Sequence, residues 1–111
     1  MRRKDFVEAM KTADSVRDDE FKATLHRSFK KHGKHVLVIA VEELSELTKE
    51  TTKWLRGLGN RDNTLQELAD ATIAMGYIMD ITHISSDELD RAIKVKLDRV
   101  NERLNNKGRY S

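Results

Sequence analysis

Along the chain, apolar residues recur every three or four positions in long runs, a period that belongs to amphipathic helices and not to strands. Helix-poor residues cluster at Gly33, at Gly57 to Asn63 and at His83 to Ser86, and these clusters mark the breaks. Four helices follow, over about Asp18 to Lys31, His35 to Arg56, Leu65 to Thr82 and Asp87 to Asn105, with room for a short helix from Asp5 to Ala13 ahead of them. Thr64 with Glu67, and Ser85 with Glu88, have the Ser/Thr-x-x-Glu spacing of capping boxes and set the starts of the last two helices. Gly108 is expected to end the last one, and no repeat or low-complexity tract interrupts the pattern. The expected fold is all-α: one domain over residues 1–111, an antiparallel four-helix bundle with short connections, preceded by residues 1–17 as an extension without an assignable role.

In the helix from His35, the residues Leu37, Val41, Leu44, Thr48, Thr51, Leu55 and Leu58 keep the spacing of one buried stripe. At about 100° per residue, Glu43 and Glu46 fall beside that stripe, in the sector of Val36, Ile39, Leu47 and Trp54, while Glu42 turns toward Lys49 and Lys53. The next helix sharpens the problem. From Leu68 to Ile81 its only side chains that are neither apolar nor small are Asp70, Thr72, Tyr77 and Asp80, so it is expected to be buried almost all round. Glu67 and Asp70 sit one turn apart on it, and the short Gly57 to Asn63 connection folds it back on its predecessor. Burying an unpaired carboxylate costs several kcal/mol by rough estimate, so two acid pairs aimed inward need a cation or basic partners. Four carboxylates with no His or Cys among them favour Mg²⁺ or Mn²⁺ over zinc or copper, and Mg²⁺ with open positions suits phosphate chemistry.

Composition narrows the alternatives. The chain has no proline, only 5 glycines, 36% charged and 38% hydrophobic residues, which suits long helices and gives no reason to expect a sheet. It has no cysteine, so disulfides, thiolate metal sites and cysteine nucleophiles play no part. A net charge of +2 is too small to imply a nucleic-acid partner, although the ends are more basic than the middle, and no helix-turn-helix signature accompanies them. The stretch from Met1 to Arg17 alternates charge with apolar residues and does not read as a signal peptide or membrane span, so a soluble, cytoplasmic protein is expected. His26, His32, His35 and His83 share no helix face and have no zinc-enzyme spacing. Met75 and Met79 have core spacing, and Lys107 to Tyr110 read as a frayed basic end.

Glu42-Glu43-Leu44-Ser45-Glu46 followed by Glu67-Leu68-Ala69-Asp70 resembles the EExxE and ExxD signature of the MazG-like all-α nucleoside triphosphate pyrophosphohydrolases. The likeness spans about His35 to Arg103, including Lys53-x-x-Arg56-Gly57 and a last helix bearing Lys96 and Arg99. That resemblance implies that Glu43, Glu46, Glu67 and Asp70 bind Mg²⁺, with Glu42 in support. Water would attack the α-phosphorus of a (deoxy)nucleoside triphosphate, with Glu43 or Glu46 taking its proton, to give a monophosphate and pyrophosphate. Lys96 and Arg99, with Lys53 and Arg56, would neutralise the leaving pyrophosphate, and Trp54 or Phe29 would stack on the base. Pool housecleaning and assembly as a homodimer or homotetramer are further implications.

Other roles stand beside these. Glu67 also suits a capping box with Thr64, and Glu46 and Glu50 suit surface pairs with Lys49 or Lys53. Lys96, Arg99 and Arg103 follow the edge of the Leu89, Ile93, Leu97, Val100 and Leu104 stripe and equally suit a solvated flank. Val36, Val38 and Trp54 exceed what one small bundle covers, which would suit a non-catalytic helical interaction module.

Overall fold

A computed structural model describes residues 1–106, so Gly108 and the Lys107 to Tyr110 end lie outside the described residues. The described chain forms five α-helices and no strand: α1 (Arg3–Met10), α2 (Asp18–His32), α3 (His35–Leu55), α4 (Arg61–Thr82) and α5 (Ser86–Leu104). The all-α expectation holds. Among the described residues two compact units can be distinguished, Met1–Ile81 and a second that begins at Thr82.

In the first unit, the breaks fall where helix-poor residues permit them. Gly33 ends α2 at φ 59, where its N–H still reaches the Phe29 carbonyl at 2.7 Å. Gly57 stands at φ 72 beyond α3, and the N–H groups of Gly57 and Leu58 bond to the carbonyls of Trp54 and Lys53 at 3.1 and 2.9 Å. Those paired bonds are the Schellman closure, which needs a residue free to adopt positive φ. The following helix departs from expectation. It begins four residues before Leu65, because Asn60 caps it: the Asn60 side-chain oxygen accepts from the Asn63 N–H at 3.0 Å. Thr64 is therefore inside α4, where its hydroxyl donates to the Asn60 carbonyl at 2.8 Å and accepts from Trp54 Nε1 at 2.7 Å. The expected Thr64–Glu67 capping box is thus replaced, and capping no longer accounts for Glu67.

The phase of α3 is the second correction. Its buried residues are Val36, Ala40 and Glu50, whereas Val41, Leu55 and Leu58 of the expected stripe are 65%, 87% and 64% exposed. The packed face is rotated by roughly a quarter turn toward the sector that holds the acids. On α4, only Ala71 and Ala74 are buried, while Leu68, Ile73 and Met75 are exposed, so this helix is apolar without being enclosed. The core is built on Leu25, Val36, Ala40, Ala71 and Ala74, three of which are alanines. Small residues at a helix contact permit axes to approach toward the short end of the usual range of about 8–10 Å.

Helix α2 packs on α3 and touches α4 at three levels. Ser28 Oγ accepts from the Tyr77 hydroxyl at 2.8 Å, His26 Nδ1 lies 3.1 Å from an Asp80 carboxylate oxygen, and Leu25 and Phe21 occupy the space that a Cβ on Gly76 would need.

The second unit contains α5. Its start is as expected: Ser85 and Glu88 form the reciprocal capping box, with the Glu88 N–H bonded to Ser85 Oγ at 3.1 Å. The Leu89, Ile93, Leu97, Val100 and Leu104 stripe is exposed. No helix among the described residues is long and apolar enough to cross a membrane.

Because Leu25 and Phe21 fill the Gly76 site, Gly76→Val is expected to destabilise the protein by about 1–3 kcal/mol through overpacking. Urea unfolding should show a lower midpoint with little change in slope.

Candidate metal centre

Helix α3 presents Glu43, Glu50 and Trp54 within a narrow sector that also contains the buried Val36, since residues seven apart return to within about 20° of one another. Trp54 is fixed by its bond to Thr64 and by Gly59, whose missing side chain leaves room for the indole ring. These contacts tie the end of α3 to the beginning of α4 and set the register in which the acids of the two helices meet. One ligand oxygen each from Glu43, Glu67 and Asp70 then lies within 4.8 Å of the others, all three side chains being half-buried.

This crowding shows in the proton affinities. Burial raises the Glu43 carboxyl above its ordinary value of 4.5, and Asp70 adds to the rise through its charge and by sharing a hydrogen bond. Glu67 and Glu42 push in the same direction. Glu67 is likewise raised from 4.5, first by burial and then by the charges of Asp70, Glu46 and Glu50, with partial relief from the amino terminus. Met1 is nearby, its carbonyl accepting from Gln66 Nε2 at 2.8 Å. Glu67 Oε2 is buried with no hydrogen-bond partner.

An octahedral Mg²⁺-sized ion with bonds of about 2.0–2.1 Å places its ligand oxygens about 3 Å apart in cis and about 4.2 Å apart in trans. The 4.8 Å spread of the three donors therefore needs only a small inward adjustment to hold a cation. The donors are hard and anionic, and one has an orphaned oxygen, so the residues present fit a hard metal ion.

The other expected site residues are arranged as follows. Glu46 is exposed and loosely paired with Lys49 at 3.7 Å, outside the three-residue group, although its charge reaches Glu67. Glu42 is exposed and acts on Glu43 through charge alone. Lys53 is bonded to Glu50 at 3.0 Å, Arg56 is exposed, and Trp54 is 51% exposed. Phe29 is half-buried on α2. Lys96 and Arg99 are exposed on α5, in the second unit.

The residue that sequence reasoning undervalued is Glu50, the buried charged residue of α3. Its seven-residue separation from Glu43 was the available signal, because it places the two on one line of the helix. A groove of about 310 Å³, lined by Val16, Phe21, Ala69, Thr72 and Ile73, shares none of the acids. On α4, Thr72 lies well round the helix from Glu67 and Asp70 by helical phase, whereas Ile73 is one turn from Asp70.

Comparison with protein-family models, curated proteins and solved structures gives no match.

Raised carboxyl pKa values have a definite sign in stability. The native state holds the Glu43 and Glu67 protons more tightly than the unfolded chain, so their contribution is most favourable below about 4.5 and is lost as pH rises through the raised values. A divalent cation should therefore raise the Tm more at about pH 7.5 than at about pH 5, where protons compete for the same oxygens. Thermal scans with and without Mg²⁺ at the two pH values check this. Glu67→Gln should reduce the difference.

Proposed function

We propose that this protein is a Mg²⁺-dependent nucleoside triphosphate pyrophosphohydrolase of the MazG-like kind, converting (deoxy)nucleoside triphosphates to monophosphates and pyrophosphate. The observation that carries the proposal is the convergence of Glu43, Glu67 and Asp70 from two successive helices on one half-buried, all-oxygen point. In this reading α3 and α4 run antiparallel about the Arg56 to Asn60 turn, and Glu43, Glu67 and Asp70 are the metal ligands. Magnesium, when bound, would neutralise phosphate charge and lower the pKa of water.

The remaining steps belong to the chain's own side chains. Glu46 lies one turn along α3 from Glu43, outside the three-residue group and held only by its loose pair with Lys49, which leaves it available as the general base. It takes a proton from the water that attacks the α-phosphorus. The bond from that phosphorus to the bridging oxygen then breaks, and pyrophosphate leaves with the negative charge. In the same reading Lys53 and Arg56, at the end of α3, neutralise that charge, and the half-exposed ring of Trp54 stacks on a base. A cytoplasmic homodimer or homotetramer acting in nucleotide-pool housecleaning completes the reading.

A second reading is favoured by the exposed apolar residues of α5, which suit a non-catalytic helical interaction module. A nucleotide-dependent rise in Tm with Mg²⁺ would count against that alternative.

Canonical and modified (d)NTPs, screened for product, should release pyrophosphate and no orthophosphate. Glu46→Gln and Asp70→Asn should each lower turnover by at least about 100-fold with the far-UV circular dichroism unchanged. Wild-type rates in both variants would remove the proposal.

A further inference from the structure

By helical phase, α4 has two occupied sectors and one open one. Glu67 and Asp70 lie in the sector that meets Glu43 of α3. Gly76, Tyr77 and Asp80 lie in the sector that meets Leu25, Ser28 and His26 of α2. Leu68, Thr72, Met75 and Met79 recur at spacings of four, three and four residues and line the sector that remains. Leu68 and Met75 are each 48% exposed, Thr72 is exposed and Met79 half-buried. The Thr72 hydroxyl is turned back on the Leu68 carbonyl at 2.7 Å, so its polar hydrogen is already used. The strip from Leu68 to Met79 therefore presents apolar surface without a charge.

The chain on either side of α4 is charged, and with opposite sign. Residues 53–61 contain Lys53, Arg56 and Arg61 and no acid. After α4, Asp87, Glu88 and Asp90 all precede the first lysine or arginine, Arg91. Asp87 is paired with Arg91, and Glu88 is engaged in the capping box with Ser85. Arg56, Arg61 and Asp90 are exposed and form no ion pair among the described residues. A partner of uniform charge would be attracted at one end of the strip and repelled at the other. A second copy laid antiparallel matches both ends, because a twofold axis sets the start of each α4 beside the end of the other. Opposed helix dipoles act in the same sense.

We propose that a second copy of this chain packs on the strip from Leu68 to Met79, α4 antiparallel to α4 about a twofold axis near Thr72 and Met75. Arg56 and Arg61 of each copy then stand beside Asp90 of the partner subunit. A helix of 22 residues is about 33 Å long, and a strip about 10 Å wide along it offers roughly 330 Å² per copy. That is less than half of the roughly 800 Å² per partner that a stable interface buries, so the charged segments at the two ends are needed to complete the contact. The inference gives the homodimer of the functional reading a specific surface, and it depends neither on the metal centre nor on catalysis.

The test is sedimentation equilibrium of the full chain over a dilution series. The wild-type chain should be a dimer. Met75→Glu, which brings two carboxylates together near the axis, should weaken self-association at least about 100-fold. Arg61→Glu and Asp90→Arg should each weaken it about tenfold, and the chain carrying both reversals should regain most of the loss. That rescue decides the matter should Met75→Glu not fold. A monomeric wild-type chain, a dimer unaltered by Met75→Glu and by both single reversals, or single reversals that do not rescue each other would overturn the proposal. The rise in Tm with Mg²⁺, read on the same samples, tests the metal centre separately. A monomer that shows the rise removes the α4 contact alone, whereas a dimer with the predicted mutant pattern and no rise upholds the contact and removes the metal centre.

Discussion

Like charges held together in a partly dry gap are the constraint on which the rest of this structure depends. Helices pack through whichever faces bring the least polar surface out of water, yet the packed sector of α3 contains Glu43 and Glu50, and α4 meets it with Glu67 and Asp70. The cost is visible in raised carboxyl pKa values and in two buried oxygens without partners. Alanines at positions 40, 71 and 74, the Gly57 closure and the Trp54–Thr64 bond impose the arrangement from outside the acids. A divalent cation would offset the charge density that this scaffold holds together in a half-buried gap.

Much of this was legible from residue order. Gly33, Gly57 and the Ser85-x-x-Glu88 box have local meanings that tertiary packing does not override, and the helix ends fell where they indicated. Of the four acids that stand out by type in apolar company, Glu43, Glu67 and Asp70 come together, whereas Glu46 lies outside the group and pairs loosely with Lys49. The phase of α3 was not legible. Leu37, Val41, Leu55 and Leu58 form an apolar line on the sequence, but contact selected the neighbouring line with Val36 and Ala40, where small side chains permit closer approach.

The start of α4 was misplaced for a different reason. Thr64 and Glu67 have the spacing of a cap, yet Asn60 supplies a side-chain acceptor one turn earlier, and Thr64 is drawn to Trp54 instead. Glu50 was hidden by its lysine neighbour: Lys53 three residues on is the signature of an ordinary surface pair, and only burial distinguishes this one. Reading acids in pairs across seven residues, as well as three, would have drawn it out.

The most direct test of the central claim is an anomalous-scattering map from crystals grown with Mn²⁺. The account predicts a peak between α3 and α4, within about 2.2 Å of oxygens from Glu43, Glu67 and Asp70. A map with no peak there, and these carboxylates instead paired with lysine, arginine or solvent, would contradict it.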